Sequence, residues 1–214
     1  MNIDIIAYPA KNGDCFLINS YDKKEQKHFL VDCGYAATIK NFLKDDLVKI
    51  GLKGGTLEKL ILTHIDADHI QGAIRLLKEN NSERFIEIKE IWHNSFRHLF
   101  EKKQKDITEK ESRILSQIIL RGYPKKHNIT KGEQEISARQ GTTVGALILQ
   151  GKYSWNSDFG GNAISTDYGK EIIISKNAKI FLLSPDKKKL EKLKNLWSSE
   201  LQKYGVNYDS GSLE

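Results

Sequence analysis

The fold of this chain is decided by one stretch, Leu60-Ile61-Leu62-Thr63-His64-Ile65-Asp66-Ala67-Asp68-His69-Ile70-Gln71-Gly72. An apolar run ends at Thr63, and four side chains that commonly bind metals follow within six residues: His64, Asp66, Asp68 and His69. Apolar residues then recur at helical spacing, so the pattern predicts a buried strand, a tight loop and a helix. Imidazole and carboxylate ligands suit zinc, iron or manganese, and loops at strand ends often carry catalytic sites.

A simpler interpretation of the same loop is that Asp66 or Asp68 only caps the helix that begins near His69. Isolated Asp and His residues in loops commonly do no more than this. Four ligand-type side chains in six residues, directly after an apolar strand, favour a metal site.

The stretch also resembles the signature of the metallo-beta-lactamase fold superfamily, which is His-x-His-x-Asp-His after a strand. Here Asp66 stands where that signature has its second histidine. The resulting His-x-Asp-x-Asp-His form is similar to the branch that contains the soluble domain of bacterial DNA-uptake channel proteins and related uncharacterised hydrolases. The resemblance implies an α/β fold, the αββα sandwich, with two divalent metals at its active site.

The resemblance also implies roles for the four side chains. His64 and Asp66 would bind one metal, Asp68 and His69 would bind the second, and Asp68 would orient the attacking water as the catalytic residue. Zinc is the first expectation, with manganese or iron as alternatives. Asp66 makes the first site richer in oxygen than the family pattern, which favours manganese more than a histidine would.

The beginning of the chain predicts a hairpin, with strands at residues 3–8 and 15–20 and a turn at Asn12-Gly13-Asp14. A third strand, residues 28–34, ends in Asp32-Cys33-Gly34. In the resembled family, the aspartate at this position lies near the metal loop and holds it by hydrogen bonds. Asp32 is therefore expected to support the metal ligands rather than to bind metal itself. The alternative is an ordinary turn aspartate at the end of a strand.

A second candidate residue follows the next predicted strand, residues 85–92. A helix is predicted over residues 36–50 and another from the metal loop to about Glu79, so the strands on either side of the latter should be parallel. The carboxyl ends of parallel strands lie at the same edge of a sheet. His93 should therefore emerge beside His64, where it would line the substrate pocket and bind substrate or metal. The alternative is a partly buried histidine beside Trp92.

The rest of the chain is more polar. Residues 106–120 predict a helix, Lys125-Lys126-His127 a basic patch, and residues 135–150 a helix interrupted at 141–143. Residues 171–175 and 179–184 predict a hairpin that a lysine-rich helix follows. We expect one domain over residues 1–214, composed of a metal-motif half (1–100), a helical insertion or lid (101–170), and a strand hairpin with a helix (171–214).

The resemblance weakens beyond residue 100. Complete family members take a histidine, a bridging aspartate and a last histidine from the second half of the sandwich. Here the last histidine is His127, and Asp186 lies in a Ser-Pro-Asp context that differs from the family pattern. We therefore expect a sandwich that is incomplete at its C-terminus, and a chain that forms a homo-oligomer or binds a partner chain.

The amino-acid composition limits the kinds of function that the chain can have. The chain has 214 residues, 39% of them apolar and 29% charged, with no apolar run near the roughly 20 residues of a membrane span. No secretory signal is seen, and Cys15 and Cys33 lie in apolar runs, which predicts buried thiols in a reducing cytoplasm. The formal net charge of +6 favours anionic substrates, nucleic acid among them, although a solvated lysine surface would explain it equally well.

Two functions are therefore expected. The first is a metal-dependent hydrolase in which activated water attacks an ester, with a phosphodiester favoured by the basic surface. The alternative is a non-catalytic or half-assembled binding subunit, which keeps the metal loop but needs a partner chain or a second half.

Overall fold

A six-stranded sheet forms the centre of the computed structural model, which describes residues 2–22, 25–99, 138–169, 171–175 and 178–203. The strands are β1 (Asn2–Ala7), β2 (Phe16–Asp22), β3 (Glu25–Val31), β4 (Thr56–Ile61), β5 (Glu87–Ile88) and β6 (Ile91–Trp92). The first three are antiparallel neighbours, while β4 runs parallel to β3, β5 and β6. The predicted hairpin and the parallel crossover are thus confirmed, and the fold class is mixed α/β.

Helices connect and cover these strands. Between β3 and β4 lie α1 (Ala36–Thr38), a π-helical segment (Ile39–Leu43) and α2 (Lys44–Leu52). Helix α3 (Ala67–Glu83) joins β4 to β5, and α4 (Ala138–Gln150) and α5 (Lys187–Lys203) follow later in the chain. Short 3-10 helices occur at Phe96–Leu99, Ser157–Phe159 and Thr166–Tyr168.

The main core lies between one face of the sheet and these helices. A row of paired residues, Leu17, Leu30, Leu60 and Ile91, crosses four strands and is fully or almost fully buried. From the helices, Ile70, Ile74, Leu77, Val144 and Leu147 complete the same cluster. Burial of each such side chain is worth about 1.5–3 kcal/mol. The core therefore supplies a rigid support for the loop between β4 and α3.

A second, smaller layer is formed by a hairpin. Strands β7 (Glu171–Ser175) and β8 (Ala178–Phe181) pair antiparallel, as predicted. Leu182 after the hairpin packs with Trp92, Phe159 and Ile164 in a separate apolar cluster, against which Ile61 also lies. This hairpin thus covers the sheet near the ends of β4 and β6.

Helix α3 extends to Glu83, so the prediction that it ends near Glu79 is wrong. The reason is Asn80, which reads as a helix-stopping residue in the sequence but is completely buried. Its amide donates to the carbonyl of Ile86 at 2.9 Å and accepts from the Ile86 backbone N–H at 3.0 Å. The side chain therefore stabilises the loop that follows the helix instead of ending the helix.

Helix α4 is continuous through residues 141–143, so the predicted interruption is also wrong. A Cβ at Gly141 would lie 2.7 Å from the ring of Trp197 in α5. The glycine therefore permits two helices to pack closely, which no local sequence signal distinguishes from a helix break.

Part of the segment 101–170, which we expect to be an insertion or lid, lies outside the described residues, including the predicted helix 106–120 and the patch Lys125-Lys126-His127. In its described part, α4 contributes Val144 and Leu147 to the main core. The division of the chain at residues 100 and 170 stays a prediction. Among the helices of the described segments, none combines the length and apolar character needed to cross a bilayer.

Candidate metal centre

The parallel pairing of β3 and β4 brings two loops together at one edge of the sheet. Val31, the last residue of β3, pairs with Ile61, the last residue of β4. Asp32 therefore lies beside the loop that contains Thr63 and His64. The same loop then enters α3, whose first turn carries Asp68 and His69.

Asp32 is the centre of a buried hydrogen-bond network. Its Oδ1 accepts from the backbone N–H of Thr63 at 2.9 Å, and its Oδ2 accepts from the Thr63 hydroxyl at 2.5 Å. The same Oδ2 lies 3.2 Å from Nδ1 of His69. Only 1% of the Asp32 surface is exposed, so these contacts replace water almost completely. The expected position of Asp32, beside the metal loop and bonded to it, is what the structure shows.

This network determines which nitrogen of each histidine is free. An ionised carboxylate can only accept, so His69 donates its Nδ1–H to Asp32. The Thr63 hydroxyl donates its proton to Asp32, and its oxygen therefore accepts from Nδ1 of His64, 2.7 Å away. In the neutral form of either ring, Nε2 is therefore the nitrogen that carries the lone pair. Neutral imidazole with an open Nε2 is the form that binds metals.

Each open nitrogen faces a carboxylate. Nε2 of His64 lies 3.7 Å from Oδ2 of Asp66, and Nε2 of His69 lies 3.8 Å from Oδ2 of Asp68. Zinc–nitrogen and zinc–oxygen bonds of about 2.0–2.2 Å put two ligand atoms of a tetrahedral ion about 3.3–3.6 Å apart. Both pairs are within a few tenths of an ångström of that separation, and the ring centroids are 3.7 Å apart. The donor set therefore fits divalent metal.

A different grouping is also compact, because ligand atoms of Asp32, His64 and His69 all lie within 4.8 Å of one another. We favour the two histidine–carboxylate pairs as ligands. Asp32 already accepts hydrogen bonds at both oxygens, whereas the Nε2 atoms and the carboxylates of Asp66 and Asp68 face each other. The individual ligand assignments of His64, Asp66, Asp68 and His69 stay predictions.

The two pairs differ in exposure. The side chains of His64 and Asp66 are more open to solvent than those of His69 and Asp68, which are almost fully buried. Burial raises the pKa of the Asp66 carboxyl above its ordinary value, and the electrostatic interaction with nearby His64 opposes that rise. Burial likewise raises the pKa of Asp32, and the hydrogen bonds from Thr63 oppose it. A bound cation would favour the charged form of both carboxyls.

A cavity of about 480 Å³ opens beside the more exposed pair. His64 and Asp66 form part of its lining, together with Ile61, Trp92 and Leu182 from the sheet and the second apolar cluster. Lys189, in the first turn of α5, lines it too. The lining is thus mainly apolar and includes two candidate ligands and a lysine.

His93 lies among the residues that line this cavity, at the edge of the sheet where it was expected. Its side chain is nevertheless 1% exposed, and its ring stacks on Trp155 with centroids 6.2 Å apart. Burial lowers the pKa of His93 to about 4, so the ring is neutral near pH 7. Within the described residues its Nε2 has no hydrogen-bond partner. A role in binding substrate or metal stays a prediction.

Three other residues that the sequence analysis considered lie apart from the candidate ligands in their roles. Asp186 caps α5, since its Oδ1 accepts from the backbone N–H of Lys189 at 2.8 Å. Cys15 and Cys33 are both free thiols and both buried, as predicted. Burial raises the pKa of Cys15 to about 12, which disfavours the thiolate that a metal would need.

Sequence reasoning missed two residues of the site. Thr63 was interpreted only as the end of a strand, yet it links Asp32 to His64. Asn12 was interpreted as a turn residue, yet its side chain contacts Asp68. Nearby Asp14 lies 3.9 Å from Nδ1 of His69. A polar turn next to a strand gives no signal that separates these contacts from ordinary turn chemistry.

The fold and the site together define a class: an α/β protein whose candidate metal ligands follow a parallel strand and continue into a helix. The chain belongs to the metallo-beta-lactamase superfamily, because its sequence matches the model of that family over residues 8–143, more than half of the chain. A comparison with curated protein sequences gives no match. The finer resemblance, to the branch with the DNA-uptake channel proteins, stays a prediction.

The Thr63 hydroxyl should matter for metal retention. Thr63→Val keeps the shape of the side chain but removes the link between Asp32 and His64, so His64 loses the partner that sets its tautomer. We expect zinc affinity to fall about 10–100-fold, as for other residues that orient metal ligands. Thr63→Ser, which retains the hydroxyl, is the control. Its zinc affinity, measured by chelator competition, should stay near that of the wild type. Equal losses in both variants would contradict the assignment.

The stability of the metal-free protein should depend on the burial of His93. Its folded pKa, about 4, is below the unfolded value of about 6.5. The unfolded chain therefore binds the proton first as the pH falls, and stability present above pH 6.5 is lost toward pH 4. The loss should be about 1.4 kcal/mol per pH unit, or about 2 kcal/mol at pH 5. The free energy of unfolding can be measured in urea, with chelator present, at several pH values. It should change with pH by this amount less in His93→Gln than in the wild type. The same pH dependence in both proteins would contradict the burial argument.

Proposed function

We propose that the protein is a metal-dependent hydrolase that cleaves an ester, with a phosphodiester as the favoured substrate. The observation that supports it best is the pair of open Nε2 atoms, each facing a carboxylate, at the end of a parallel strand. Membership of the metallo-beta-lactamase superfamily supports the same reaction class. When bound, a divalent metal lowers the pKa of a water molecule and polarises the ester.

The residues of this chain have separate tasks in that proposal. His64 and Asp66 would hold one metal, and Asp68 and His69 would hold the second. Asp68 also accepts a hydrogen bond from the attacking water and so orients it toward the phosphorus atom. The water oxygen forms a bond to phosphorus and gives up one of its protons, the ester P–O bond breaks, and the leaving oxygen takes up a proton in exchange. Asp32 and Thr63 keep both imidazoles in the required tautomer throughout.

The metal is zinc in this proposal, with manganese or iron as alternatives. The set contains two imidazoles and two carboxylates, a composition that zinc, manganese and iron all accept. Asp66 replaces an imidazole of the family signature with oxygen, which shifts the preference toward manganese.

The substrate is anionic in this proposal. The formal charge of +6 favours the approach of anions, and nucleic acid is one class that would benefit. Lys189 at the cavity can attract a phosphate, while the apolar lining can accept a base or another apolar group of the substrate.

The two buried free thiols fit a reducing compartment, so we place the protein in the cytoplasm.

The double variant His64→Ala/His69→Ala should lose most of its bound metal and its hydrolysis of bis(4-nitrophenyl) phosphate. Both imidazoles supply an open nitrogen, so removing them leaves only carboxylates. Asp68→Ala should also lose turnover. Elemental analysis and a turnover assay with added zinc or manganese measure the two effects. His28→Ala is the matched control, because His28 is a buried imidazole that lies earlier in β3 and bonds to Asn19. Equal metal content in wild type and double variant would refute the metal site.

A second function has its own support, namely a binding subunit that associates with another copy or a partner chain. The outer face of the β7–β8 hairpin exposes three apolar side chains beside the ion pair of Glu171 and Lys179: Ile173 at 70%, Phe181 at 60% and Leu183 just after the hairpin at 90%. A two-stranded hairpin is marginally stable alone, and exposed apolar patches commonly mark interaction sites. A retained metal loop without turnover would fit this function.

Association through the hairpin can be measured by light scattering. We expect the wild-type protein to be a dimer and the variant Phe181→Lys/Leu183→Lys to be a monomer, because the variant would bury charged side chains at the contact. Leu52→Lys changes another leucine that is 83% exposed and should leave the mass unchanged. A monomeric wild type that stays soluble at high concentration would argue against self-association.

A further inference from the structure

The loop between β1 and β2 lies directly against the candidate ligand Asp68. Nδ2 of Asn12 is 2.8 Å from Oδ2 of Asp68, although the two residues are 56 positions apart. Within the described part of the chain, this is the only side-chain hydrogen bond made by the Asp68 carboxylate. The oxygen that Asn12 contacts is the one that lies 3.8 Å from Nε2 of His69. Asn12 thus holds the oxygen that faces the open nitrogen of His69.

The orientation of the Asn12 amide follows from its two partners. An ionised carboxylate only accepts hydrogen bonds, so the NH₂ group of Asn12 must be the side that faces Asp68. The amide oxygen then faces Tyr35, whose hydroxyl donates to it at 3.0 Å. The amide is therefore held at both ends, and one orientation satisfies both contacts.

The backbone of the loop approaches the metal loop closely as well. A Cβ at Gly13 would lie 1.8 Å from the carbonyl oxygen of Asp68, so no other residue fits there without displacement. The turn is closed by the N–H of Gly13, which donates to the carbonyl of Ala10 at 3.0 Å. This approach places the amide of Asn12 beside the carboxylate and restricts the movement of either.

Tyr35, which anchors the amide, comes from the loop after β3. Asp32, which orients His69, comes from the same loop. The Lys11 ammonium lies over the Tyr35 ring, 5.8 Å from its centroid, at the outer side of this contact. The candidate ligands Asp68 and His69 are therefore each held by a side chain from outside their own helix.

We propose that Asn12, anchored by Tyr35, is a positioning residue for Asp68, and that it sets metal affinity at the His69–Asp68 pair. The proposal rests on the proposed metal site, since it concerns how that site is oriented. A carboxylate with one fixed oxygen loses less rotational freedom when it binds a cation than a freely rotating one does.

Loss of such a supporting residue typically costs about 10–100-fold in metal affinity. Asn12→Ala removes both contacts of the amide and should raise the zinc dissociation constant by about that factor. Tyr35→Phe removes only the anchor, on the solvent side, and should raise it by a smaller factor. Asn41→Ala makes the same chemical change at an exposed position of the π-helical segment and should have no effect.

The test is a double-mutant cycle on zinc affinity, with Zn²⁺ alone as the probe in calorimetry or chelator competition. If Asn12 acts through Asp68, Asn12→Ala should weaken binding in the wild type but add nothing in the Asp68→Ala background. A residue that only packs the loop would weaken binding equally in both backgrounds. Unfolding of the metal-free variants is measured alongside, so that a general loss of stability is recognised. Tyr35→Phe supplies the same comparison if Asn12→Ala fails to fold.

The outcomes separate this inference from the proposed function. Zinc binding with the predicted coupling but without ester hydrolysis would overturn the hydrolase and leave the positioning role intact. Zinc binding that Asn12→Ala leaves unchanged, or weakens equally with and without Asp68, would overturn the positioning role alone. A wild type that binds no zinc would overturn both.

Discussion

The carboxylate of Asp32 is the constraint on which the rest of the site depends. A charged group so completely buried is costly unless it is fully hydrogen-bonded, and its donors come from Thr63 and His69. These donors are in place only if β3, β4 and the first turn of α3 are all correctly packed. Asp32 also has a positive φ of 51°, which aspartate tolerates better than most residues. The geometry of the site therefore depends on the packing of the core.

Asp32 orients both histidines, but through different contacts. His69 is oriented directly by Asp32, and His64 indirectly through the Thr63 hydroxyl. One carboxylate thus sets the tautomer of two imidazoles, and each presents its Nε2 to a different aspartate. The replacement of a family histidine by Asp66 changes one donor from nitrogen to oxygen but keeps this arrangement. In the proposed site, that replacement would alter the preference among zinc, manganese and iron.

The second apolar layer shapes the surroundings of the site. Trp92 is the last residue of β6 and pairs with Ile61 at the end of β4. Ile164 and Leu182 come from late in the chain, and they pack with Trp92 beside the strand ends. Their packing leaves a mainly apolar cavity next to the more exposed histidine–carboxylate pair. The inner face of the β7–β8 hairpin contributes to this wall, while its outer face carries exposed apolar side chains. One hairpin therefore bears on both proposed functions, as a cavity wall in the hydrolase and as a contact surface in the binding subunit.

The sequence by itself determined the strand–loop–helix around His64, the parallel crossover, the hairpins and the four candidate ligands, because each depends on short-range periodicity and spacing. It also placed Asp32 near the loop, through the resemblance to the family. The tertiary structure alone decided that Asn80 supports a loop, that Gly141 leaves room for Trp197, and that the ring of His93 is buried against Trp155. It also decided that Thr63 and Asn12 form hydrogen bonds with candidate ligands. Each of these depends on a contact between residues distant in the chain or on which atom donates a hydrogen bond. Local patterns carry no information about either, because polar residues in a turn look the same whether they face water or a carboxylate 56 positions away.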